Sequence, residues 1–463
     1  MYGKSIRFSL LWLLISVTPL AVAADPGGAE DSANAANWPQ FRGSDSDGVA
    51  ASSHPMRWSE TENVDWSIDV DGEGWSCPVV WGDNVFLTTA VPIPTDGDAA
   101  NTDPQEYQSG SAGRRQELTR LNYRWDVVCI DANDGTENWR QTAHTGHPTI
   151  PRHSSNTYAT ETPLTDGQRV YAYFGMTGLY CYDMQGRLQW SKNLGSYEMR
   201  AGWGTASSPT LHDGKLFLQI DNDDQSFIVA IDAATGNEIW RADRDEKSNY
   251  SSPIIWQNSQ RDELIAGGSV CRSYDPMTGK LLWQLEMEKG RSSATPLAVE
   301  DRLYVGTELR NRGGDDDGGG YLFCIRPGGS GDLSTPPDQA TNPAVLWKQE
   351  RSGIQMASPV LCQGYLYLPE RRSGMVHCLD AATGESVYST RVPGARAFWA
   401  SPWASGEQVY CVDTSGTTHV IAAGPKFNVV AKNEIDELTW STPAIANGAI
   451  YFRTASKLYR ISN

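Results

Sequence analysis

The stretch AIDAATGNEIW (residues 230–240) has the composition of a strand end, a tight turn and the start of a second strand. Its Asp and Thr side chains can hydrogen-bond within the turn, and Gly236 can adopt a positive φ without steric cost. Similar stretches recur along the chain: CIDANDGTENW (129–139), CYDMQGRLQW (181–190), SYDPMTGKLLW (273–283) and CLDAATGESVY (378–388). A turn repeated this often is either a cofactor-binding motif or the mark of a structural repeat.

The spacing of a second feature favours a structural repeat. Each copy begins with a proline that follows a small residue, a hydroxyl residue in seven copies and Cys77 in the first: Pro78, Pro163, Pro209, Pro253, Pro296, Pro359, Pro402 and Pro443. The successive intervals are 85, 46, 44, 43, 63, 43 and 41 residues, which indicates a unit of about 43 residues with insertions in the first and fifth copies. Units of this length with several short strands are typical of propeller blades. The sequence therefore predicts an all-β protein, an eight-bladed propeller of four-stranded antiparallel blades.

The two ends of the chain predict how the ring closes. After Pro443 there is room for three strands, so the last blade lacks its outer strand. The segment NVDWSIDV (63–70) places Trp66 twelve residues before Pro78, the same offset that separates Trp347 from Pro359. We expect residues 63–70 to complete the last blade and so to remove exposed sheet edges. Residues 58–463 then form one propeller domain.

A tryptophan recurs directly after the turn in most copies. A large ring at this position can cover the turn of the neighbouring blade and join one blade to the next. The residues at this position are Trp139, Trp190, Trp240, Trp283 and Trp347, with Tyr388 in the sixth copy.

The first residues resemble an export signal. Lys4 and Arg7 precede an apolar run that ends in a small-x-small site at residues 21–23. We expect residues 1–23 to be a cleaved signal peptide, residues 24–57 to be an N-terminal extension, and the protein to be periplasmic or extracellular. No cysteine follows the apolar run and no later run is long enough to span a bilayer, so neither a lipid anchor nor a membrane span is expected. The net charge of −18 disfavours nucleic acid as a partner.

Eight cysteines in an exported chain would ordinarily suggest disulfides. Four of them, however, occupy equivalent repeat positions, where Ala230 stands in the third copy. Equivalent positions in different blades lie too far apart for a bridge. We therefore expect buried free thiols and no disulfides, with the pairing of Cys271, Cys362 and Cys411 left open.

These repeats resemble those of the pyrroloquinoline-quinone (PQQ) type β-propellers, which include quinoprotein alcohol dehydrogenases and the propeller subunit of the outer-membrane β-barrel assembly machinery. The resemblance covers residues 58–463 and is specific for the fold rather than for chemistry. The opening NWPQFRGSDSDGVA (37–50) resembles a segment of exported propeller proteins from environmental bacteria, many of them planctomycete-like. Its SDSDG (44–48) is expected to be a solvated loop, since it lacks the spaced ligands of a calcium loop.

Loops that enter the innermost strands line the mouth of a propeller channel, so the residues before each proline are candidate ligand contacts. Three residues before the prolines, Trp75, Trp399 and Trp440 belong to neighbouring copies. They either form an aromatic wall for a flat ring or sugar, or simply pack between blades. Two residues before the prolines, Glu161 is the exception among small residues. Further candidates for polar or aromatic contacts at the mouth are Arg200, Trp203, Asn249, Tyr250, Arg291 and Arg396.

The resemblance implies two possible roles. In quinoprotein dehydrogenases, Glu, Asn and Asp hold a calcium ion, an Asp acts as base and adjacent cysteines cap the quinone. Here Glu161 and Asn249 could be metal ligands, but the segment 286–296 offers no Asp and no two cysteines are adjacent. The first hypothesis is therefore a non-catalytic binding or scaffold module of the cell envelope, without a cofactor, whose partner is a protein segment or an envelope polymer. The second is an alcohol or polyol dehydrogenase that depends on PQQ and Ca²⁺.

Overall fold

The computed structural model describes residues 1–2, 37–94, 118–287, 293–307, 320–335, 342–350, 354 and 356–463. Its strands form eight sheets that are antiparallel except for one short parallel pair, so the predicted eight-bladed propeller is confirmed. The predicted signal peptide lies, apart from its first two residues, outside the described residues. Within them, no helix has the length and apolar character needed to cross a membrane. In the described part of the chain, two short 3₁₀ turns, Gly175–Thr177 and Arg200–Gly202, interrupt the β structure.

Each blade takes its strands from one repeat, from the channel outward. The chain starts with β1 (Val64–Asp69), which belongs to the last blade. The first four blades contain β2 (Val79–Trp81), β3 (Asn84–Ile93), β4 (Asn122–Asp131) and β5 (Glu137–Gly146); β6 (Leu164–Thr165), β7 (Arg169–Tyr173), β8 (Leu179–Asp183) and β9 (Leu188–Lys192); β10 (Thr210–His212), β11 (Lys215–Ile220), β12 (Ser226–Asp232) and β13 (Glu238–Arg244); and β14 (Ile254–Gln257), β15 (Asp262–Ala266), β16 (Val270–Tyr274) and β17 (Leu281–Glu286).

The remaining four blades follow the same order. They contain β18 (Leu297–Val299), β19 (Arg302–Gly306), β20 (Tyr321–Ile325) and β22 (Val345–Glu350), with β21 (Gly331–Asp332) added to the fourth blade; β23 (Val360–Cys362), β24 (Tyr365–Pro369), β25 (Met375–Asp380) and β26 (Ser386–Arg391); β27 (Trp403–Ser405), β28 (Gln408–Val412), β29 (Thr417–Ala422) and β30 (Val429–Glu434); and β31 (Ala444–Ala446), β32 (Ala449–Arg453) and β33 (Lys457–Ile461), completed by β1.

The ring closes as predicted, because β1 pairs antiparallel with β33. The closure also has a buried polar contact between the last and first blades. Arg453, 2% exposed, donates from Nη1 to the Ser76 carbonyl at 3.1 Å and to the Thr88 carbonyl at 2.9 Å. Hydrogen bonds from a charged donor are about twice as strong as neutral ones. Strand pairing, apolar packing and hydrogen bonds from a buried arginine therefore hold the two ends of the ring together.

The recurring tryptophans join neighbouring blades as predicted. The Trp190 indole donates to the Ala233 carbonyl at 3.2 Å, and a Cβ on Gly236 would lie only 2.7 Å from the Trp190 ring. Gly236 also has a φ of +74°, so both its conformation and the ring against it favour glycine. Equivalent indole-to-carbonyl bonds run from Trp66 to Ala132, from Trp139 to Met184, from Trp240 to Pro276 and from Trp347 to Ala381.

Trp283 departs from this pattern. Its indole donates within its own blade to Glu263 Oε2 at 2.6 Å, and both side chains are fully buried. The short strand β21, from the insertion of the next repeat, pairs with β17 beside it. The insertion therefore lies against the outer strand β17. In the other blades, the turn of the neighbouring blade packs at this position.

All eight cysteines are buried free thiols. The thiols at equivalent repeat positions lie among apolar side chains, and burial raises the pKa of Cys129 to about 12. The Cys129 thiol is therefore protonated at neutral pH, and the cysteines at these repeat positions serve as small core residues.

The segment 38–50, which we call the plug, packs into one end of the channel. It bridges to the inner strands of three consecutive blades through Val80, the Thr165 amide and Thr210. Arg42, 1% exposed, then donates to the Pro359 carbonyl on the other side of the ring. The expectation that SDSDG (44–48) is a solvated loop holds only in part, because the segment is a turn with Asp45 exposed but with Ser46 and Gly48 buried within the plug.

Candidate functional site

The residues that directly precede the eight prolines form a closed ring of hydrogen bonds around the channel. The backbone N–H of each residue donates to the side chain of its equivalent in the next blade, at 2.9 to 3.3 Å. The last bond runs from the Thr442 amide to Cys77 Sγ at 3.3 Å. We call this ring the pre-proline belt: Cys77, Thr162, Ser208, Ser252, Thr295, Ser358, Ser401 and Thr442. It explains why a small hydroxyl residue precedes nearly every proline.

The belt surrounds a cavity of about 590 Å³ inside the channel. All eight belt residues line it, and so do all eight residues that stand three positions before the prolines. None of the residues two positions before the prolines lines it. Alternate residues of an extended chain point to opposite sides, which accounts for this pattern. Phe41 of the plug also lines the cavity, so the plug bounds the cavity at one end.

The three tryptophans of the predicted wall lie side by side at the cavity. The ring centroids of Trp399 and Trp440 are 4.3 Å apart in a stacked arrangement, and those of Trp75 and Trp440 are 4.9 Å apart. The Trp75 indole donates to the Ser155 carbonyl at 3.2 Å, and the Trp399 indole donates to the Arg371 carbonyl at 3.2 Å. We call Trp75, Trp399 and Trp440 the aromatic wall. Its rings pack on one another across blades and also line the cavity.

The structure separates the other candidates into two groups. Trp203 and Tyr250 line the cavity with the wall. Arg200 and Arg396 are exposed and do not belong to the lining, and their backbone amides bond to Ser248 Oγ and Asp413 Oδ2. Arg291 lies outside the described residues.

Glu161 points away from the cavity, because it stands two positions before its proline. Its side chain is 1% exposed, and Oε1 has no hydrogen-bond partner. Burial raises the pKa of Glu161 to about 7, while a hydrogen bond from Thr205 partly opposes that rise. A carboxyl group in this environment is protonated over much of the acidic range.

Glu161 and Asn249 do not fit a shared calcium site. The Asn249 amide nitrogen donates to the Gly267 carbonyl at 2.7 Å and to Asp221 Oδ2 at 3.3 Å, whereas Glu161 interacts with Thr205. Asp221 is itself paired with the buried Arg244 at 2.8 Å, so its charge is already compensated. The described residues contain no group of three His, Cys, Asp or Glu side chains placed to hold a metal ion.

Sequence reasoning missed a second set of mouth residues. His153, Asn156, Arg371 and Arg372 also line the cavity. Arg371 and Arg372 follow β24, in the loop between the second and third strands of the sixth blade. In an antiparallel blade this loop returns to the end at which the inner strand begins. The pair of adjacent arginines directly after a strand is the sequence signal that could have identified this loop.

Comparisons with known proteins agree with the fold. The chain is 23% identical over 221 residues to tetrathionate hydrolase of Acidithiobacillus ferrooxidans, covering 42% of this chain and 38% of that protein. It is 24% identical over 184 residues to outer membrane protein assembly factor BamB of Shewanella oneidensis, covering 39% of this chain and 42% of the relative. The matches thus span about two fifths of these relatives.

Two solved structures share the architecture. BamB from Moraxella catarrhalis superposes with a TM-score of 0.56 at 12% identity, over 86% of this chain and 97% of that one. Quinohemoprotein alcohol dehydrogenase from Comamonas testosteroni superposes with a TM-score of 0.57 at 11% identity, over 95% of this chain and 82% of that one. At these identities the likeness shows the fold alone.

A family model gives the assignment. The model described as outer membrane protein assembly factor BamB matches residues 124–307 and 338–426, which is more than half of the chain. The chain belongs to this family of PQQ-type β-propeller repeat proteins.

Proposed function

We propose that the protein is an exported, non-catalytic binding module of the cell envelope that holds its partner at the channel mouth. The observation that carries this proposal is the aromatic wall, where three indole rings line a cavity of about 590 Å³. Large rigid rings contribute much contact area at low entropic cost, which is why they are common in binding sites. The family description as an outer membrane protein assembly factor supports a place in the envelope.

The partner is a protein segment or an envelope polymer that reaches the mouth from one side. The plug bounds the cavity at one end, where residues 38–40 bond to the first three blades and the buried Arg42 bonds to Pro359 on the other side of the ring. The proposal therefore has the ligand enter from the end of the channel opposite the plug. A channel closed at one end suits capture of a ligand end or side group better than passage through the ring.

The alternative is a dehydrogenase that uses PQQ and Ca²⁺, and the geometry supports it less well. Glu161 faces away from the cavity, and the Asn249 amide is already bonded to Asp221 and Gly267. The flat quinone could still pack on the aromatic wall, which makes it a necessary probe.

The test uses the mature chain, mixed with PQQ, CaCl₂ and a panel of alcohols and polyols. The proposal predicts no alcohol-dependent dye reduction at any quinone concentration. Dye reduction that disappears in Glu161→Ala would establish the dehydrogenase instead.

A second experiment asks whether the wall binds anything. The double variant Trp75→Ala, Trp399→Ala should bind ligands identified with the parent chain at least tenfold more weakly, because aromatic anchors commonly contribute about 2 kcal/mol or more. Unchanged binding of every ligand by this variant would mean that the rings serve only as packing between blades.

A further inference from the structure

The charge of the cavity is opposite to that of the chain. The sequence has 56 Asp and Glu against 38 Lys and Arg, yet the described residues that line the cavity include no carboxylate. Arg371 and Arg372 are among them, the first half-buried and the second exposed. In a protein with an excess of acidic groups, a lining that contains only cationic charges favours an anionic ligand.

Arg371 is held next to the aromatic wall. Its backbone carbonyl accepts the Trp399 indole at 3.2 Å, and its Nη1 lies 3.6 Å from Met356 Sδ. A guanidinium group presents a planar fork of donors that matches carboxylate and sulfate oxygens. An anionic group on a ligand packed against Trp399 would therefore lie within reach of this fork.

His153 is a further ionisable residue at the mouth. It lines the cavity, and its Nδ1 lies 2.6 Å from Ser155 Oγ. Burial lowers the pKa of His153, and the charges of Arg152 and Arg371 lower it further. The neutral form of His153 is therefore favoured, and the positive charge of the described lining comes from Arg371 and Arg372.

The rest of the lining is neutral but rich in hydrogen-bonding groups. Ser155, Asn156, Thr160 and Ser293 stand above the hydroxyls of the belt. Hydroxyl and amide groups can both donate and accept, as the hydroxyls of a sugar do. A pyranose also has an apolar face that can pack against the flat ring of a tryptophan.

The same geometry disfavours a peptide bound as an added strand. That mode of binding needs free backbone N–H groups at a sheet edge. Around this cavity the pre-proline residues use their N–H groups in the belt, and the prolines that follow have none. The inner strands therefore present side chains rather than a backbone edge at this level.

We propose that the cavity binds an acidic sugar residue, with the pyranose ring against the aromatic wall and its carboxylate or sulfate group held by Arg371 and Arg372. This inference rests on the proposed function and names the ligand class for the same site. A uronate and a sulfated sugar present the same chemistry, an oxyanion at the edge of a polar ring.

The experiment is a calorimetric titration of the mature chain with three trisaccharides: trigalacturonate, its methyl ester and a sulfated galactose trimer. The charged sugars should bind at least tenfold more tightly than the neutral ester, because losing a hydrogen bond to a charged group costs about 1.5 kcal/mol or more. Binding should also weaken as NaCl is raised, since salt screens exposed charges. The stronger of the two charged sugars identifies the anionic group that is recognised.

Arg372→Gln should lower affinity for the charged sugars roughly tenfold. Arg372→Lys should lower it less, because lysine keeps the positive charge but lacks the planar fork of donors. Arg187→Gln is the matched control, since Arg187 is a 76% exposed arginine that pairs with Asp183 beside an outer hairpin. Thermal melting of each variant verifies that it is folded.

Equal binding of the methyl ester, or unchanged affinity in Arg372→Gln, would overturn the inference. Equally tight binding of an oligoglutamate peptide would assign the site to acidic peptides and would also overturn it. If no sugar binds but another ligand does so in a Trp399-dependent manner, the inference fails while the proposed function stands.

Discussion

The pre-proline belt and the aromatic wall lie two residues apart on the segments that lead into the inner strands, and they differ in how regularly they repeat. The belt repeats the same hydrogen bond in every blade, with Cys77 as its one substitution. The wall positions hold a different set of residues around the ring, and the three tryptophans are confined to the seventh, eighth and first blades. The belt is therefore part of the architecture, and we propose that the variable wall positions, which line the cavity, contact the ligand.

Glu161 stands in the sequence between a wall position and a belt position. Of the changes in stability predicted here, we expect its titration to give the largest. Its pKa is about 7 in the folded chain, above the ordinary 4.5, so the folded state holds the proton more tightly than the unfolded state. Stability from this group is then fully present below pH 4.5 and is lost as pH rises through 7, by about 3 kcal/mol in total.

Replacing Glu161 with Gln removes this titration. The free energy of unfolding of Glu161→Gln, relative to the parent, should therefore rise by about 3 kcal/mol between pH 4.5 and pH 8. Urea unfolding at a series of pH values measures this difference. A difference that does not change with pH would show that Glu161 is solvated in the folded protein.

Breaking the belt should give the next largest effect. Ser208→Ala removes the acceptor of the Thr162 amide, whose bond to Ser208 Oγ is 3.0 Å and buried. A buried N–H left without a partner costs about 1 to 3 kcal/mol. Urea unfolding should show a loss of about 2 kcal/mol in Ser208→Ala.

Ser293→Ala provides the comparison within the cavity lining. Ser293 stands three positions before its proline, among the residues of the mouth rather than those of the belt. The same substitution there should change stability by less than about 0.5 kcal/mol. Equal losses in the two variants would mean that the belt has no special role in stability.

We expect the smallest change in the free energy of unfolding at Cys77, which supplies the one sulfur in the belt. Cys77 Sγ accepts the Thr442 amide at 3.3 Å, and sulfur is a weak acceptor. Cys77→Ser should stabilise the chain by up to about 1 kcal/mol, the net value of an ordinary hydrogen bond, whereas Cys77→Ala should destabilise it. Destabilisation by serine, measured by the same unfolding experiment, would indicate that the size of sulfur matters more than its bond.

Much of the fold was predictable because the repeat specifies it locally. The prolines, the turn glycines and the blade-joining tryptophans each act within one or two blades, so their spacing is sufficient to count blades and to identify β1 as the missing strand. The blade-joining role predicted for Trp283 was the exception. The insertion that places β21 beside β17 does not follow the repeat pattern, so its effect could not be predicted.

The site was less predictable because it depends on which side of the strand each residue faces. The wall followed from comparing copies, but Glu161 stands out in the same comparison and points the other way. The plug and the loop of Arg371 and Arg372 lie outside the repeat pattern altogether. Their positions come from tertiary packing across the ring, which sequence periodicity does not record.

The central claim is that ligand binding belongs to the wall and stability to the belt. The most direct test titrates PQQ, trigalacturonate and oligoglutamate into the parent chain and then measures the tightest of them against Trp399→Ala and Ser208→Ala. The account predicts at least a tenfold loss of affinity in Trp399→Ala, as expected for an aromatic anchor, and a much smaller loss in Ser208→Ala, whose hydroxyl lines the cavity but already accepts the Thr162 amide. Equal affinity in all three chains, or a loss only in Ser208→Ala, would contradict it.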